Sequence, residues 1–445
     1  MSDSSQSDNQ SNNIDTMVKD LVMTDSIDEK QKIVSDIFEI AKSKGFFLSS
    51  VNDLYKAYGE GKCSGFTVPA INLRSLSYYL AKSIFRVAKS NNTGAFIFEI
   101  AKSEMGYTHQ TPAEYVGVIL AAAIKEEHSG PVFIQGDHFQ AKLDNFVADR
   151  DKEVQVLKNI IENSISAGFL NIDIDTSTLV NLDKENVIEQ QRDNFELCAE
   201  LTKYIRDIQP EGINVSVGGE IGEVGKKNST AEELKAFMDG YQEALGSDME
   251  GLSKMSIQTG TSHGGVVLPD GSIAQVKVDF ETHKELSLFG RKNYGLGGTV
   301  QHGASTLPDS AFHNLPENEC LEVHLATNFQ NMMFDSSLFP NDLREKMYTW
   351  IWENMSDEKK EDQTDDQFIY KSRKKALGPF KKEIMNLPEE IKEGIAKELE
   401  EKFDFLFKQL KVNDTKDIVS KFIKPNNFHL TFKSSKSELD GEGDD

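Results

Sequence analysis

Short apolar runs, rich in β-branched and aromatic residues and bounded by Gly, Asn or Pro, recur through the middle of the chain. Stretches with the apolar spacing of helices separate them. The runs are short enough for strands and apolar enough to be buried on both faces. We therefore predict eight strands, at Phe66–Asn72, Ala95–Ile100, Val132–Gly136, Phe169–Asp175, Asn214–Glu220, Lys254–Gly260, Gly298–His302 and Leu321–Ala326.

The alternation of strand and helix indicates a parallel sheet with helical crossovers. Eight such units close a barrel, and the usual barrel length of about 250 residues fits the stretch from residue 60 to residue 335. An open doubly wound sheet would need a glycine-rich phosphate loop after its first strand, and Asn72-Leu-Arg-Ser75 is not one. The predicted fold class is α/β, a (β/α)8 TIM barrel with an N-terminal helix and a helical C-terminal extension.

The segments outside the barrel differ from it in composition. The polar start of the chain lacks aliphatic side chains and predicts a disordered tail over residues 1–26. Asp28–Ser43 has the pattern of an amphipathic helix that opens the barrel domain, residues 27–335. A charged helical extension over residues 336–433 is expected to pack on the barrel or on a partner subunit, and residues 434–445 form an acidic tail. The helices expected in the extension are Leu343–Trp352, Lys371–Met385, Glu389–Leu410 and Thr415–Phe422.

Composition narrows the classes of function. A formal charge of -24 argues against nucleic-acid binding, because phosphate backbones attract basic surfaces. The 3 cysteines are widely spaced, which fits a reducing compartment and excludes a cysteine-only metal site. No early apolar run resembles a signal peptide, and no segment approaches the ~20 apolar residues that span a bilayer. We expect a cytoplasmic protein without a membrane segment.

Polar side chains stand where the predicted strands end. Barrel enzymes carry their chemistry at the carboxyl ends of their strands. A lone histidine at such an end is more often structural, but His138, His263 and His302 would converge from strands three, six and seven. Three neutral imidazoles suit a divalent ion and leave a coordination position open for substrate. The polar residues at the predicted ends are Asn72, Asp137, His138, Asp175, Glu220, His263, His302 and His324.

At these positions the sequence resembles the class II fructose-bisphosphate and tagatose-bisphosphate aldolases. The resemblance runs in order over roughly residues 44 to 335. Its two most specific motifs are Gly260-Thr-Ser-His-Gly264 and His302-Gly-Ala-Ser305, the second followed by Leu307-Pro-Asp. The other similar motifs are Pro69-Ala-Ile-Asn72, Val132-Phe-Ile-Gln-Gly-Asp-His138, Gly219-Glu-Ile-Gly222 and Val323-His-Leu-Ala-Thr327.

The resemblance implies a role for each matching residue. His138, His263 and His302 would hold Zn²⁺ or another divalent cation, with Glu220 as a supporting or alternate ligand. Asp137 would shuttle the hydroxyl proton at the cleaved bond. The residues implied to bind substrate or its phosphate are Asn72, Gly264, Gly303, Ser305 and Thr327.

Three departures from the family pattern affect the substrate site. His324, a predicted catalytic residue, stands where the family usually has an asparagine near the end of strand eight, and it would donate a hydrogen bond or approach the metal. The loop after Gly225 lacks the usual acidic residues, and Glu223 is the predicted catalytic substitute. A lysine that often follows the Gly-Thr-Ser-His-Gly motif is missing, so Lys102 or Arg291 is expected to supply charge for a phosphate.

The function implied is reversible aldol cleavage of a phosphorylated ketose. The best candidate is fructose 1,6-bisphosphate, cleaved to dihydroxyacetone phosphate and glyceraldehyde 3-phosphate through a zinc-stabilised enediolate by a homodimer or higher homo-oligomer. One alternative is a non-catalytic accessory subunit of a ketose-bisphosphate aldolase, motivated by the missing loop acids and by His324. Another is a metal hydrolase on the same barrel, with Asp137 as general base beside a metal-activated water.

Overall fold

In the computed structural model, which describes residues 3–222, 227–260, 268 and 278–432, eight parallel strands close into a barrel. They are neighbours in chain order, and the barrel closes because the first of them pairs with both the second and the last. The predicted (β/α)8 TIM barrel is thus confirmed. The barrel strands are β2 (Val68–Asn72), β3 (Ile97–Ala101), β4 (Pro131–Gln140), β5 (Asn171–Asp175), β6 (Ser216–Glu220), β7 (Lys254–Ile257), β8 (Thr299–Gln301) and β9 (Cys320–Leu325); one further strand, β1 (Phe47–Ser49), lies outside the barrel.

All eight predicted strands are present, as β2 to β9, with shifted ends. The largest difference is in β4, which continues past the predicted end at Gly136 to Gln140. Strand β1 was not predicted, because three residues carry too little pattern; it pairs with the start of β4 outside the barrel ladder.

Helices follow the strands and cover the outside of the barrel. Several begin at residues whose side chains accept a backbone N–H, including Thr111, Asn186 and Thr230. The helices up to the end of the barrel are α1 (Asp3–Met23), α2 (Ile27–Ser43), α3 (Asn52–Gly59), α4 (Ser77–Ser90), α5 (Lys102–Thr108), α6 (Pro112–Lys125), α7 (Leu143–Ala148), α8 (Arg150–Ala167), α9 (Val187–Ile208), α10 (Ala231–Leu245), α11 (Phe280–Tyr294), α12 (Asn314–Glu317) and α13 (Thr327–Asp335).

The predicted disordered tail over residues 1–26 is wrong for most of its length. Helix α1 lies there, and Ile14, Val18 and Leu21 are buried. Their spacing of four and three residues places them on one helix face, which packs against α6 beside Gly117. The polar first residues led to the wrong prediction, because an apolar stripe begins only at Ile14.

The C-terminal extension runs along the barrel from one end to the other. Near the carboxyl ends of the strands, Arg373 contacts Asp335 at 2.9 Å and the amide of Gly378 donates to the Tyr107 carbonyl. Near the amino ends, the amide of Thr67 donates to the Leu410 carbonyl. The extension helices are α14 (Asn341–Met355), α15 (Asp365–Ser372), α16 (Lys381–Met385), α17 (Glu389–Gln409) and α18 (Lys416–Phe422).

The long helix α17 lies parallel to α4 of the barrel. Lys82 pairs with Glu393, Ser83 Oγ donates to the Ala396 carbonyl at 2.9 Å, and Arg86 contacts Glu400 at 3.0 Å. The residue numbers in these contacts increase in the same direction along both helices, which shows that the two helices are parallel.

The single helix predicted over Lys371–Met385 is interrupted in the structure. Pro379 disfavours helical geometry at Gly378 and lacks an N–H to donate. Gly378 also packs so closely on α5 that an added Cβ would lie 2.4 Å from the Tyr107 carbonyl oxygen.

The predicted acidic tail, residues 434–445, lies outside the described residues. In the part of the chain that the structure covers, no helix combines the length and apolarity needed to cross a bilayer.

Candidate active site

A β-bulge in β4 sets the geometry of the site. Gly136 pairs with Ile172 and Phe139 with Ile174, so Asp137 and His138 together oppose the single residue Asp173. In a regular strand consecutive side chains point to opposite faces, and the extra residue of a bulge changes that alternation. His138 has φ +41°. The side chains of Asp137 and His138 both contact other residues inside the mouth of the barrel.

The bulge brings His138 to two other strand ends. The ligand atoms of His138, Glu220 and His302 lie within 4.8 Å of one another, at the carboxyl ends of β4, β6 and β8. Two imidazoles and a carboxylate are a donor set that suits Zn²⁺ or a similar divalent ion. His263, the remaining predicted ligand, lies outside the described residues, as do Glu223 and Gly264.

Asp175, at the end of the neighbouring strand β5, contacts the ring of His138. Its Oδ2 lies 3.1 Å from His138 Nδ1 and also accepts a hydrogen bond from Gln140, while its Oδ1 accepts from Ser177. Burial raises the pKa of Asp175, but the hydrogen bond with His138 outweighs it and the pKa is lowered. A carboxylate on the non-coordinating nitrogen of a histidine is the usual support of a metal ligand.

Three imidazoles lie in a row across the mouth of the barrel. The His302 ring centroid is 4.2 Å from that of His138 and 4.1 Å from that of His324. Ser256 contacts the central ring of the row, with its Oγ 2.9 Å from His302 Nε2. His324 therefore sits directly beside the candidate metal set, where it faces Asp137.

Asp137 is a buried carboxylate next to two imidazoles. Its Oδ1 lies 3.1 Å from His324 Nδ1, and no residue in the described ranges donates a hydrogen bond to that oxygen. Burial raises the pKa of Asp137, but His138 and His324 outweigh it and hold the pKa well below its ordinary value. Asp137 is therefore ionised at neutral pH.

A second set of inward-facing side chains lies one layer deeper. Lys254 Nζ donates to Glu322 Oε1 at 2.5 Å, to Asp173 Oδ2 at 2.9 Å and to Gln135 Oε1 at 2.7 Å. We call these four residues the buried ionic cluster. Gly218 makes room for it, because an added Cβ would lie 2.4 Å from Asp173 Oδ1.

The buried ionic cluster is neither a nucleophile site nor an open cation site. Burial lowers the pKa of Lys254, but Asp173 and Glu322 outweigh it and raise the pKa, so the amine stays protonated. The ligand atoms of Asp173, Glu322 and His324 also lie within 4.8 Å of one another, yet the Lys254 ammonium already balances the two carboxylates. Sequence reasoning missed this cluster, although Lys254 and Glu322 are charges inside otherwise apolar strands.

The residues predicted to bind substrate are divided between two sides of the mouth. Asn72 Nδ2 donates to Glu104 at 2.5 Å, and Asn72 Oδ1 accepts no hydrogen bond from the described residues. Ser305 Oγ accepts the amide of Ala326 at 2.8 Å, which brings the turn after β8 against the start of α13 at Thr327. Gly303 begins this turn with φ +66°, a conformation that favours glycine.

Of the two cations expected near a phosphate, only one is at the right end of the barrel. Lys102 Nζ donates to the Gln140 carbonyl at the carboxyl end of β4. The prediction for Arg291 is wrong: its guanidinium donates to the Gly297 carbonyl and pairs with Glu319 at the amino ends of β8 and β9. Sequence position alone could not tell the two ends of the barrel apart for a residue on a helix.

Comparison with solved structures finds similar chains, and the first of those named here has the same fold. A probable tagatose 6 phosphate kinase from Sinorhizobium meliloti 1021 aligns with TM-score 0.54 and 13% identity over 80% of this chain and 99% of its own. A fructose-bisphosphate aldolase from Campylobacter jejuni has TM-score 0.48 and 17% identity over 83% and 97%. The fructuronate-tagaturonate epimerase UxaE from Cohnella laeviribosi has TM-score 0.48 and 11% identity over 88% and 85%.

No curated protein sequence matches the chain at a significant level. The family model described as fructose-bisphosphate aldolase class-II does match, from residue 52 to residue 408. The matched region contains the whole barrel, the rim that carries His138, Glu220 and His302, and most of the extension. The chain therefore belongs to the class-II fructose-bisphosphate aldolase family.

Proposed function

We propose that this protein is a metal-dependent aldolase that reversibly cleaves a phosphorylated ketose, with fructose 1,6-bisphosphate as the first substrate to test. The observation that carries the proposal is the meeting of His138, Glu220 and His302 at three strand ends, with ligand atoms within 4.8 Å. Membership of the class II aldolase family supports the same chemistry.

His138, Glu220 and His302, with His263, are the proposed ligands of Zn²⁺ or another divalent cation. The donor types fit, and Asp175 supports His138 as a carboxylate supports a metal ligand. When bound, such an ion supplies Lewis-acid polarisation of the substrate carbonyl. Removing one imidazole from this set should weaken the affinity for metal and the cleavage rate together.

Asp137 is the proposed base for cleavage. It is ionised, lies in the mouth of the barrel and adjoins His138 along the chain, so it can accept the proton of the substrate hydroxyl at the bond that breaks. The same carboxylic acid returns the proton in the direction of synthesis. His324, 3.1 Å from Asp137 Oδ1, is the proposed hydrogen-bond donor beside it.

The turn after β8 and the start of α13 are the proposed phosphate site, with Gly303, Ser305 and Thr327. The Ser305–Ala326 hydrogen bond joins the two segments, and the amino end of a helix favours an anion. Asn72, whose Oδ1 accepts no hydrogen bond from the described residues, is the proposed contact to a substrate hydroxyl.

The test measures release of triose phosphate from ketose bisphosphates by protein stripped with a chelator and then reloaded with Zn²⁺. We expect cleavage only in the loaded protein and a loss of at least about 100-fold in His302→Ala. Release of inorganic phosphate without triose phosphate would instead support a hydrolase. Zinc binding with no turnover, but with activation of an added aldolase, would support an accessory subunit.

A further inference from the structure

The carboxylate of Glu322 is held by donors from three different parts of the barrel. Its Oε1 accepts Lys254 Nζ at 2.5 Å from β7 and Gln135 Nε2 at 2.9 Å from β4. Its Oε2 accepts the hydroxyl of Tyr55 from α3. All these side chains are buried, Lys254 to 1% exposure, so water cannot replace a lost donor.

This fixed carboxylate points at one nitrogen of His324. Glu322 Oε1 lies 2.7 Å from His324 Nε2, two residues further along the same strand. The pKa of Glu322 is lowered to about 2 although burial raises it, because Lys254 and His324 outweigh burial. An ionised carboxylate can only accept, so Nε2 carries the proton of this contact.

Fixing Nε2 determines what the other edge of the ring faces. His324 Nδ1 lies 3.1 Å from Asp137 Oδ1 and 3.0 Å from Glu99 Oε2. Neither His324 Nδ1 nor Asp137 Oδ1 forms a hydrogen bond with the described residues, so only the orientation of the ring keeps these two atoms opposite each other.

We propose that Lys254 and Glu322 are positioning residues, which hold the His324 ring so that its Nδ1 edge faces Asp137. This inference rests on the proposed function, because it assigns Asp137 and His324 to the reaction. The buried ionic cluster then has a purpose beyond stability, since an apolar layer of the same volume would often be as stable as a buried ion pair.

The decisive variant replaces both members of the pair, Lys254→Met with Glu322→Met. Removing one charge alone would leave the other buried and unpaired, at a cost that could unfold the protein. The double replacement keeps volume and is made in an Asp173→Asn background, because the Asp173 carboxylate would otherwise be buried without Lys254. It leaves His324 Nε2 without its acceptor. Asp173→Asn is the matched control, because Asp173 binds Lys254 yet lies 3.6 Å from His324 Nε2.

Two measurements separate positioning from support of the fold. In the double variant we expect unchanged zinc content and thermal stability, kcat lowered at least about 10-fold and KM changed less than about 3-fold. With ¹⁵N-labelled histidine, the Nε2–H signal of His324, assigned by its absence in His324→Asn, should be lost or exchange rapidly. Asp173→Asn should keep that signal and most of kcat.

Wild-type kcat and an unchanged Nε2–H signal in the double variant would overturn the proposal. So would an equal loss of kcat in stable Asp173→Asn, because that would assign the effect to the cluster as a whole. If the wild-type protein cleaves no ketose phosphate, the proposed function fails, while the histidine spectrum still reports whether Glu322 orients His324.

Discussion

His138 and Asp175, on neighbouring strands of the barrel, are joined by a contact of 3.1 Å between Nδ1 and Oδ2. The contact exists because the bulge in β4 advances His138 by one residue relative to β5. His138 Nδ1 also lies 3.5 Å from Glu220 Oε2, so the same edge of the ring faces both carboxylates. The β-bulge therefore positions both the proposed metal ligand His138 and the Asp175 carboxylate that contacts it.

Asp175→Asn should therefore lower the affinity for Zn²⁺ by about 10- to 100-fold. The amide can keep one hydrogen bond to His138 but loses the charge that strengthens it. Competition with a fluorescent chelator measures the change. Asp151→Asn, at an exposed position of α8, is the control and should bind like wild type. Equal affinity in Asp175→Asn would show that His138 needs no carboxylate.

Asp137→Asn should lower kcat by about 100- to 10,000-fold, because an amide cannot accept the hydroxyl proton. Zinc content should stay at the wild-type level, since Asp137 is adjacent to the proposed ligands without being one of them. Steady-state kinetics with metal analysis of the same samples tests both statements. A variant that loses zinc in proportion to activity would instead make Asp137 part of the metal site.

Gly136→Ala should disturb the bulge. An added Cβ would lie 2.4 Å from Cζ of the fully buried Phe139 ring, which has no room to move in a packed interior. We expect about 1–3 kcal/mol of destabilisation in urea unfolding and lower activity. Gly136→Ala combined with Phe139→Leu should recover part of the stability. Additive losses in the double variant would contradict this explanation.

Phe407→Ala should destabilise the barrel as well as the extension. Phe407 is fully buried and its ring lies 5.7 Å from that of Phe96 beside β3. Truncating such a residue costs about 3–5 kcal/mol. Exposed Glu398 provides the control variant, Glu398→Ala, which should be neutral.

Fluorescence and circular dichroism together test whether the extension unfolds with the barrel. Both tryptophans, Trp350 and Trp352, lie in α14 of the extension. We expect the fluorescence and the dichroism to change at the same urea concentration, in wild type and in Phe407→Ala. Two separate transitions would mean that the extension is an independent unit.

Acid should destabilise the protein through two buried histidines away from the active site. Burial lowers the pKa of His128, among Phe46, Phe85 and Phe96, to about 4, and burial likewise lowers the pKa of His283 to about 4. The folded-state pKa lies below the unfolded value of about 6.5. Their stabilising contribution is therefore complete above pH ~6.5 and is lost as the pH falls towards about 4, by up to about 3 kcal/mol each.

The free energy of unfolding in urea, measured from pH 7 to pH 4.5, tests this expectation. His128→Phe keeps an aromatic ring in the same packing and removes the titrating group, so its unfolding free energy should fall less steeply with acid. An identical pH dependence in both proteins would mean that the pKa of His128 is the same in the folded and unfolded states.

The sequence by itself determined the strands, their parallel order and the residues that stand at their carboxyl ends. These features depend on local patterns: apolar runs of strand length, helical spacing between them, and short motifs around His138 and His302. The helix at Ile14 was missed only because its stripe follows a polar start.

Tertiary structure decided which of these residues meet and what supports them. The bulge at Asp137 arises from the pairing of β4 with β5, and the Lys254–Glu322 contact joins residues 68 positions apart. Arg291 and Lys102 carry the same charge, yet they lie at opposite ends of the barrel. A local pattern fixes the direction of a strand, but the partners of a side chain inside a closed barrel come from all eight strands, and only their packing selects them.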